Sequence, residues 1–286
     1  MLLDKVALAI TLAISANTVQ AVRDEVAYSD GLHDLFDPGF LEDTRPAEHV
    51  IKKWRGNLIP EGCKERFTDS SVDPKDMEAY NVTYTQGCQE PWVFCRERTA
   101  QLSVESMASL FGRLPLHMRE LVRHPIAVKD TSCSAFSYTD IGDILFKGDC
   151  STPSVWIHET GHQMDAALNL QNDESGSEQW MDAVSKDTCV PDDYANTNNI
   201  EDFAQVTVTA LYQSIRGYIP TSYHPGCFDN QLSRLLRVFR ARYMTYSLQC
   251  TGKKIPPSEN VSKDGKMSTR RAAVTARKVV GPCRFH

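Results

Sequence analysis

The sequence lacks the motifs of several common protein classes. It has no CxxC pair, no GxSxG nucleophile elbow, no glycine-rich phosphate loop and no dinucleotide-binding fingerprint. These absences argue against a zinc ribbon, a dithiol redox site, an α/β-hydrolase triad and nucleotide chemistry. After residue 21, no apolar run approaches the roughly 20 residues that a membrane-spanning helix requires.

What is present is the composition of one globular unit. The chain has 286 residues, of which 41% are hydrophobic and 24% are charged. This balance can bury a sizeable core and does not indicate disorder. Residues 22–45 show no regular pattern and are expected to be irregular, and residues 46–57 are expected to form a helix.

The order of the remaining predicted elements indicates the fold class. Strand-like patterns occupy residues 91–95, 126–129, 134–138 and 143–146, and helical patterns occupy residues 103–122, 152–168, 177–185, 200–214 and 230–246. Strands followed by helices favour an α+β fold, with a mixed N-terminal sheet half before a helical C-terminal half.

The N-terminus and the cysteines both indicate secretion. Residues 1–21 carry Lys5 before an apolar run, and Ala21 is a small residue at a position suited to signal-peptidase cleavage. Nine cysteines are scattered along the chain, which in a secreted protein is typical of disulfides. Asn81 and Asn260 begin two glycosylation sequons. We therefore expect a secreted, disulfide-stabilised protein.

Residues 251–286 differ in charge from the rest of the chain. They contain nine Lys or Arg against Glu259 and Asp264, a net of +7, whereas the preceding 250 residues carry −13. They are rich in Pro, Ser and Thr and lack any apolar period, which predicts a basic, mobile tail after a folded domain of residues 22–250. Because aromatic residues are not interleaved with these charges, we expect no nucleic-acid binding.

The segment SVWIHETGHQMD, residues 154–165, is predicted to lie on a helix. Ser151 and Thr152 are candidate N-caps, and Pro153 suits the first helical position. His158 and His162 are four residues apart. On a helix they therefore project from the same face.

This spacing indicates a zinc site. Two imidazole nitrogens on one helix can bind a tetrahedral zinc ion at distances of about 2 Å. Glu159, the neighbour of His158, can hold and deprotonate a water at the metal. The competing interpretation is an ordinary amphipathic helix whose histidines pair with carboxylates. We favour His158 and His162 as ligands of Zn²⁺ and Glu159 as the general base.

A catalytic zinc site also needs a third protein ligand. In a metzincin this ligand would fall at Leu168, and in the zinc aminopeptidases the ligating glutamate would fall at Met181, so neither class fits. Two acids farther along the chain remain. They are Glu178, which has Asp182 in an ExxxD spacing, and Glu201.

We favour Glu201 because a helix that begins at residue 198 or 199 places Glu201 and Gln205 on its core-facing side. Gln205 could then orient a ligating histidine. Tyr194 lies seven residues before Glu201 and could donate its hydroxyl to an oxyanion. Two alternatives stay open: the spacing Asn198-x-x-Glu201 also fits a capping box, and Tyr194 could be a packed loop residue.

The motifs HETGHQMD and PDDYANTNNIEDFAQ carry a family resemblance. They resemble the secreted zinc-peptidase-like proteins of filamentous fungi, the group that includes conidiation-specific secreted proteins. They are more distantly similar to the gluzincin domain of anthrax lethal factor. The resemblance implies a zincin-like fold in which His158, His162 and Glu201 bind zinc, Glu159 is the general base and Tyr194 is the oxyanion donor.

The resemblance covers about residues 142–212 and has one departure, since gluzincins commonly have an acid at the position of Gln205. The function it implies is a secreted zinc endopeptidase that acts on peptide or protein substrates. The strand at residues 143–146 is expected to be a sheet edge on which an extended peptide pairs. The alternative is a secreted binding or surface protein that keeps the zincin fold without cleaving peptides. We expect a monomer that does not bind membranes.

Overall fold

The computed structural model describes residues 21–168, 173–220, 225–265 and 279–284. The strands are β1 (Glu25–Val26), β2 (His49–Lys53), β3 (Leu58–Pro60), β4 (Met77–Tyr84), β5 (Trp92–Glu97), β6 (His124–Val128), β7 (Ser134–Tyr138), β8 (Asp143–Lys147), β9 (Cys189–Val190), β10 (Asn260–Ser262) and β11 (Val279–Arg284). The helices are α1 (His33–Asp43), α2 (Glu61–Asp69), α3 (Val104–Arg113), α4 (Leu116–Arg119), α5 (Pro153–Ala166), α6 (Glu178–Lys186), α7 (Asn199–Arg216) and α8 (Asp229–Phe239). The predicted signal peptide, residues 1–21, lies outside the described residues except for Ala21.

A seven-stranded mixed sheet organises the fold. Its strand order is β11-β7-β8-β6-β5-β4-β2. Strand β6 is parallel to both β5 and β8, and the other neighbouring strands are antiparallel. Two short pairs, β1 with β9 and β10 with β3, lie outside this sheet. The mixed sheet followed by α5 to α8 confirms the α+β class expected from the sequence.

Both faces of the sheet are buried, and side chains alternate between them. On β5, Trp92 and Phe94 pack against the helical core, whereas Val93 and Cys95 pack into a second cluster on the opposite face. This alternation follows from the two-residue period of a strand. Helix α2 and strand β3 contribute to the second cluster, so the sheet is the middle layer of three.

Helix α5 lies against β7 of the sheet and packs closely on α7. Gly161 is at the helix contact. A Cβ atom added there would lie 3.1 Å from Thr207 Cβ and 3.3 Å from the Ala204 Cα of α7. The missing side chain therefore allows the two helices to approach, which brings α7 within reach of the histidines on α5.

The N-terminus of α5 is capped from a distant part of the chain. Thr152 is at the predicted N-cap position, but its side chain makes no capping hydrogen bond. Instead, Ser154 donates its backbone N–H to Asp37 Oδ1 at 2.7 Å and its hydroxyl to Asp37 Oδ2 at 3.1 Å. The predicted helix is confirmed, and α1 supplies its cap.

Three local predictions are wrong. Residues 46–57 are not a helix, because β2 pairs with β4 about thirty residues farther along the chain. Residues 22–45 are not all irregular, since α1 continues through Pro38. Residues 143–146 are not a sheet edge. They lie in β8, between β7 and β6, because β7 and β11 extend the sheet beyond them.

The predicted mobile tail is also wrong for the parts that the structure describes. Strand β10 pairs antiparallel with β3, and β11 pairs antiparallel with β7. Between Cys250 and β10, Ser258 hydrogen-bonds His124, and Glu61 donates its N–H to the carbonyl of Glu259. Strand β10 has only three residues, too few to show an apolar period, and both strands pair with segments far away in the sequence.

Four disulfides confirm the expectation of a disulfide-stabilised fold. They are Cys63–Cys95, Cys88–Cys250, Cys133–Cys150 and Cys189–Cys227. The side chain of the ninth cysteine, Cys283, lies outside the described part of the structure. Across the described ranges, no helix combines the length and the apolar character of a membrane span.

Candidate metal centre

Three side chains from two helices converge between α5 and α7. His158 Nε2 lies 3.0 Å from His162 Nε2 and 3.1 Å from Glu201 Oε2, and His162 Nε2 lies 3.3 Å from the same carboxylate oxygen. All three side chains are buried, with exposed fractions between 0% and 5%. The structure therefore brings together the three residues that the sequence singled out as ligands.

The size of this triangle fits a zinc ion. Ligand atoms about 2.0–2.1 Å from a tetrahedral zinc are about 3.3 Å from one another. The three observed distances lie close to that value. Two imidazole nitrogens and one carboxylate oxygen are also a donor set that catalytic zinc sites use.

The two acids left open by the sequence lie in different surroundings. Asn198 caps the helix by accepting from the N–H groups of Ile200 and Glu201. The Glu201 backbone thus takes part in the cap while its carboxylate contacts both histidines. Glu178 begins α6 with an exposed side chain and is not part of the converging group.

The charges in this cluster depend on one another. Burial raises the pKa of Glu201, but hydrogen bonds from His158 and His162 outweigh burial and hold this pKa well below its usual range. Burial lowers the pKa of His158, yet the hydrogen bond and the charge of Glu201 raise it above the ordinary value. The site therefore favours positive charge beside Glu201, and a divalent cation can take the place of a proton.

Glu159 is fully buried next to the triangle, and its two carboxylate oxygens have different surroundings. Ser137 Oγ on β7 lies 2.7 Å from Glu159 Oε2 and 2.8 Å from the Glu159 carbonyl oxygen. Among the described atoms, Oε1 has no hydrogen-bond partner. A buried oxygen without a partner is costly unless a water or another donor meets it, so Oε1 fits the role of a base toward a water.

Tyr194 lies beside His158. Its ring centroid is 5.6 Å from that of His158. The preceding strand β9 is held by its pairing with β1 and by the Cys189–Cys227 disulfide. The turn that carries Tyr194 is thus attached to two other parts of the fold.

Gln205 contacts the ligating histidine, as expected from its position four residues after Glu201. Its Oε1 lies 3.0 Å from His158 Nδ1, and its Nε2 donates to Asp192 Oδ2 at 2.6 Å. Sequence reasoning missed both Asp192 and Ser137. Only the position of Asp192 two residues before Tyr194 could have indicated it, and no pattern marked Ser137.

A cavity of about 220 Å³ opens on the side of the site that carries Tyr194. Its walls come from residues 29–33, which precede and begin α1, from Ser154, from residues 192–194 and from Gln205. It reaches Asp192 and Gln205, the polar side chains on the Nδ1 side of His158.

Comparison with known proteins identifies relatives of the chain. The sequence profile of the family described as "Conidiation-specific protein Con-13" matches residues 27–281. Conidiation-specific protein 13 of Neurospora crassa is 32% identical over 211 residues, which cover 72% of this chain and 61% of that protein. The chain thus spans about three fifths of the length of this curated relative. No solved structure matches the chain.

Proposed function

The chain belongs to the Con-13 family of conidiation-specific proteins, and for this member of the family we propose a secreted zinc peptidase that hydrolyses peptide bonds. The observation that carries the proposal is the His158, His162 and Glu201 triangle beside a buried Glu159 whose Oε1 has no partner among the described atoms. A purely structural zinc site usually has four protein ligands and needs no neighbouring base.

The chain's own residues account for the steps of peptide hydrolysis. A zinc ion held by His158, His162 and Glu201 would polarise the scissile carbonyl and lower the pKa of a water toward neutrality. Glu159 Oε1 would take a proton from the attacking water and pass it to the leaving amine. Ser137 keeps the other oxygen of Glu159 engaged and so orients the carboxylate.

Tyr194 would act on the other side of the reacting carbonyl. Its ring lies against His158 and is partly exposed, so the hydroxyl can donate to the negative charge that develops on the carbonyl oxygen. Since water is the nucleophile, no covalent intermediate with the protein forms.

The fold supports a zincin-like reading of the chain. A mixed sheet lies against the helix that carries both histidines, and the next long helix supplies the third side chain. The four disulfides agree with an oxidising compartment and so with secretion.

The direct experiment is cleavage of an unbiased peptide library by zinc-loaded protein, beside Glu159→Gln at the same zinc content. We expect cleavage by the wild type and a loss of about 10²- to 10⁴-fold in the variant, the range for removal of a general base. Equal cleavage by both proteins would reject the role of Glu159.

The alternative function is a secreted binding or surface protein that holds zinc without cleaving peptides. One observation favours it. Strand β11 pairs along the outer edge of β7, with Val280 opposite Ser137, the residue that contacts Glu159. An extended peptide cannot pair with that edge while β11 is there. Zinc binding without cleavage of any library peptide would support this alternative.

A further inference from the structure

We infer that Asp192 is a positioning residue that fixes both the proton arrangement of the metal-binding His158 and the turn that carries Tyr194. The inference rests on the proposed zinc site and deepens it. Asp192 is 3% exposed, and its two carboxylate oxygens point to two different parts of the site. Oδ2 accepts from Gln205 and Oδ1 accepts from the N–H of Ala195.

The contact between Asp192 Oδ2 and Gln205 sets the direction of a relay, a chain of hydrogen bonds that ends at His158. Gln205 Nε2 donates to Asp192 Oδ2. Burial raises the pKa of Asp192, whereas its hydrogen bonds from Ala195 and Gln205 lower it; as a carboxylate Asp192 can only accept, which keeps the Nε2 end of the Gln205 amide turned toward it. Its Oε1 then faces His158 Nδ1 at 3.0 Å. Because a carbonyl oxygen also only accepts, His158 must carry a proton on Nδ1. This leaves the Nε2 lone pair for a metal.

The relay explains how the chain functions without an acid at position 205. Where gluzincins commonly place a carboxylate, Gln205 is neutral and cannot by itself fix which of its ends meets the histidine. Asp192 supplies the missing carboxylate. It does not contact the histidine itself but accepts from Gln205 Nε2 at 2.6 Å.

The contact between Asp192 Oδ1 and the N–H of Ala195 holds the turn that carries Tyr194, the proposed oxyanion donor. Besides the bond from the Ala195 N–H to its carboxylate, the backbone carbonyl of Asp192 accepts from the N–H of Asn196 at 3.2 Å. One carboxylate thus closes the turn around Tyr194 and directs His158. The two groups that would flank the scissile carbonyl are placed by the same residue.

The test is the zinc affinity of the folded protein, measured by competition with a chelator. In Asp192→Asn the new side chain keeps its size but has one donor and one acceptor. If its oxygen stays on Ala195, its NH₂ faces Gln205, the Gln205 amide turns over, and the proton of His158 moves to the metal-binding nitrogen. We expect zinc affinity to fall about 10- to 100-fold, the range for loss of such a supporting partner.

The double variant Asp192→Asn/Gln205→Glu exchanges amide and acid: the hydrogen bond between positions 192 and 205 runs in the opposite direction, but an acceptor again faces His158 Nδ1. The asparagine then donates to the new glutamate, which accepts from His158 Nδ1. We expect most of the lost zinc affinity to return. A side chain with only a packing role would show no such rescue.

Two further variants keep the test independent of folding problems. Asp193→Asn makes the same chemical change on the exposed neighbour and should leave zinc affinity unchanged. Gln205→Met cuts only the branch to His158 and keeps the Tyr194 turn, so it should lower zinc affinity as much as Asp192→Asn. Thermal unfolding without zinc shows that each variant is folded.

The outcomes separate this inference from the proposed function. Unchanged zinc affinity in Asp192→Asn, or a loss that the exchange variant does not recover, overturns the relay while leaving the zinc site standing. A wild type that binds zinc but cleaves nothing overturns the peptidase and leaves the relay to be decided by the same affinities. A wild type that binds no zinc overturns both.

Discussion

The two sides of helix α5 bury different kinds of side chain. Toward the sheet, Trp156 stacks on Phe146 of β8 with ring centroids 4.1 Å apart, inside a continuous apolar core. Toward α7, His158 and His162 meet Glu201 and are just as buried. The apolar side lowers the free energy of the fold, whereas the polar side carries a desolvation cost that only good partners offset.

This difference separates stability from chemistry. Substitutions on the sheet side should lower the free energy of unfolding without a selective effect on zinc affinity. Substitutions on the α7 side should lower zinc affinity without unfolding the protein. The following predictions test that separation, from the largest expected effect to the smallest.

Glu201→Ala should abolish specific zinc binding, because it removes one of the three converging ligands. The loss should exceed the 10- to 100-fold typical of supporting partners. Its matched control is Glu178→Ala, an exposed acid that should bind zinc normally. Zinc content after dialysis measures both, and retention in Glu201→Ala with loss in Glu178→Ala would reverse the ligand assignment.

Phe146→Ala should destabilise the protein by about 3 to 5 kcal/mol, since it leaves a cavity beneath Trp156. Urea unfolding of the zinc-free protein gives this value. The fraction that stays folded should bind zinc as the wild type does. A selective loss of zinc affinity in the folded protein would show that the two sides of α5 are not independent.

Asp37, which caps α5, should make stability depend on pH. Burial raises its pKa from 3.8 to about 6. Between these two pH values the folded protein therefore holds more protons than the unfolded chain. The contribution of Asp37 to the free energy of unfolding is fully present below about pH 4 and is lost as pH rises through about 6. By linkage, the change in the free energy of unfolding is at most about 3 kcal/mol.

Asp37→Asn should remove this dependence. The difference in the free energy of unfolding between wild type and variant, measured in urea at pH 4 and pH 7, should shift in favour of the variant at pH 7. A difference that does not change with pH would show that Asp37 has an ordinary pKa in the folded protein.

Disruption of the pairing between β11 and β7 should have the smallest effect, and this effect should be on activity alone. Successive N–H groups of a strand point in alternating directions, so replacing both Val279 and Val280 by proline removes at least one donor to β7. If a peptide substrate uses this edge, cleavage should rise several-fold through a lower KM, with zinc affinity unchanged. An unaltered KM would place substrate elsewhere, for example in the cavity beside Tyr194.

Sequence reasoning succeeded where the physical cause is local. Pro153 and the i, i+4 histidines define α5, and the capping spacing at Asn198 defines the start of α7. Because Glu201 and Gln205 lie on the core-facing side of that helix, their contacts with His158 could be expected before the fold was known.

It failed where the cause is a contact between distant segments. Asp37 caps α5 from 117 residues away, and Ser137 reaches Glu159 from 22 residues away. Residues 49–53 form strand β2 through pairing with β4, which lies about thirty residues farther along the chain. Strand β8 is interior because β7 and β11 extend the sheet beyond it. No local pattern of apolar residues encodes such pairings.

The most direct measurement is anomalous X-ray scattering at the zinc absorption edge, from a crystal of the full chain grown with zinc. The account predicts one strong peak about 2 Å from His158 Nε2, His162 Nε2 and a carboxylate oxygen of Glu201. A density map without a peak there, or with the zinc beside Glu178, would contradict it.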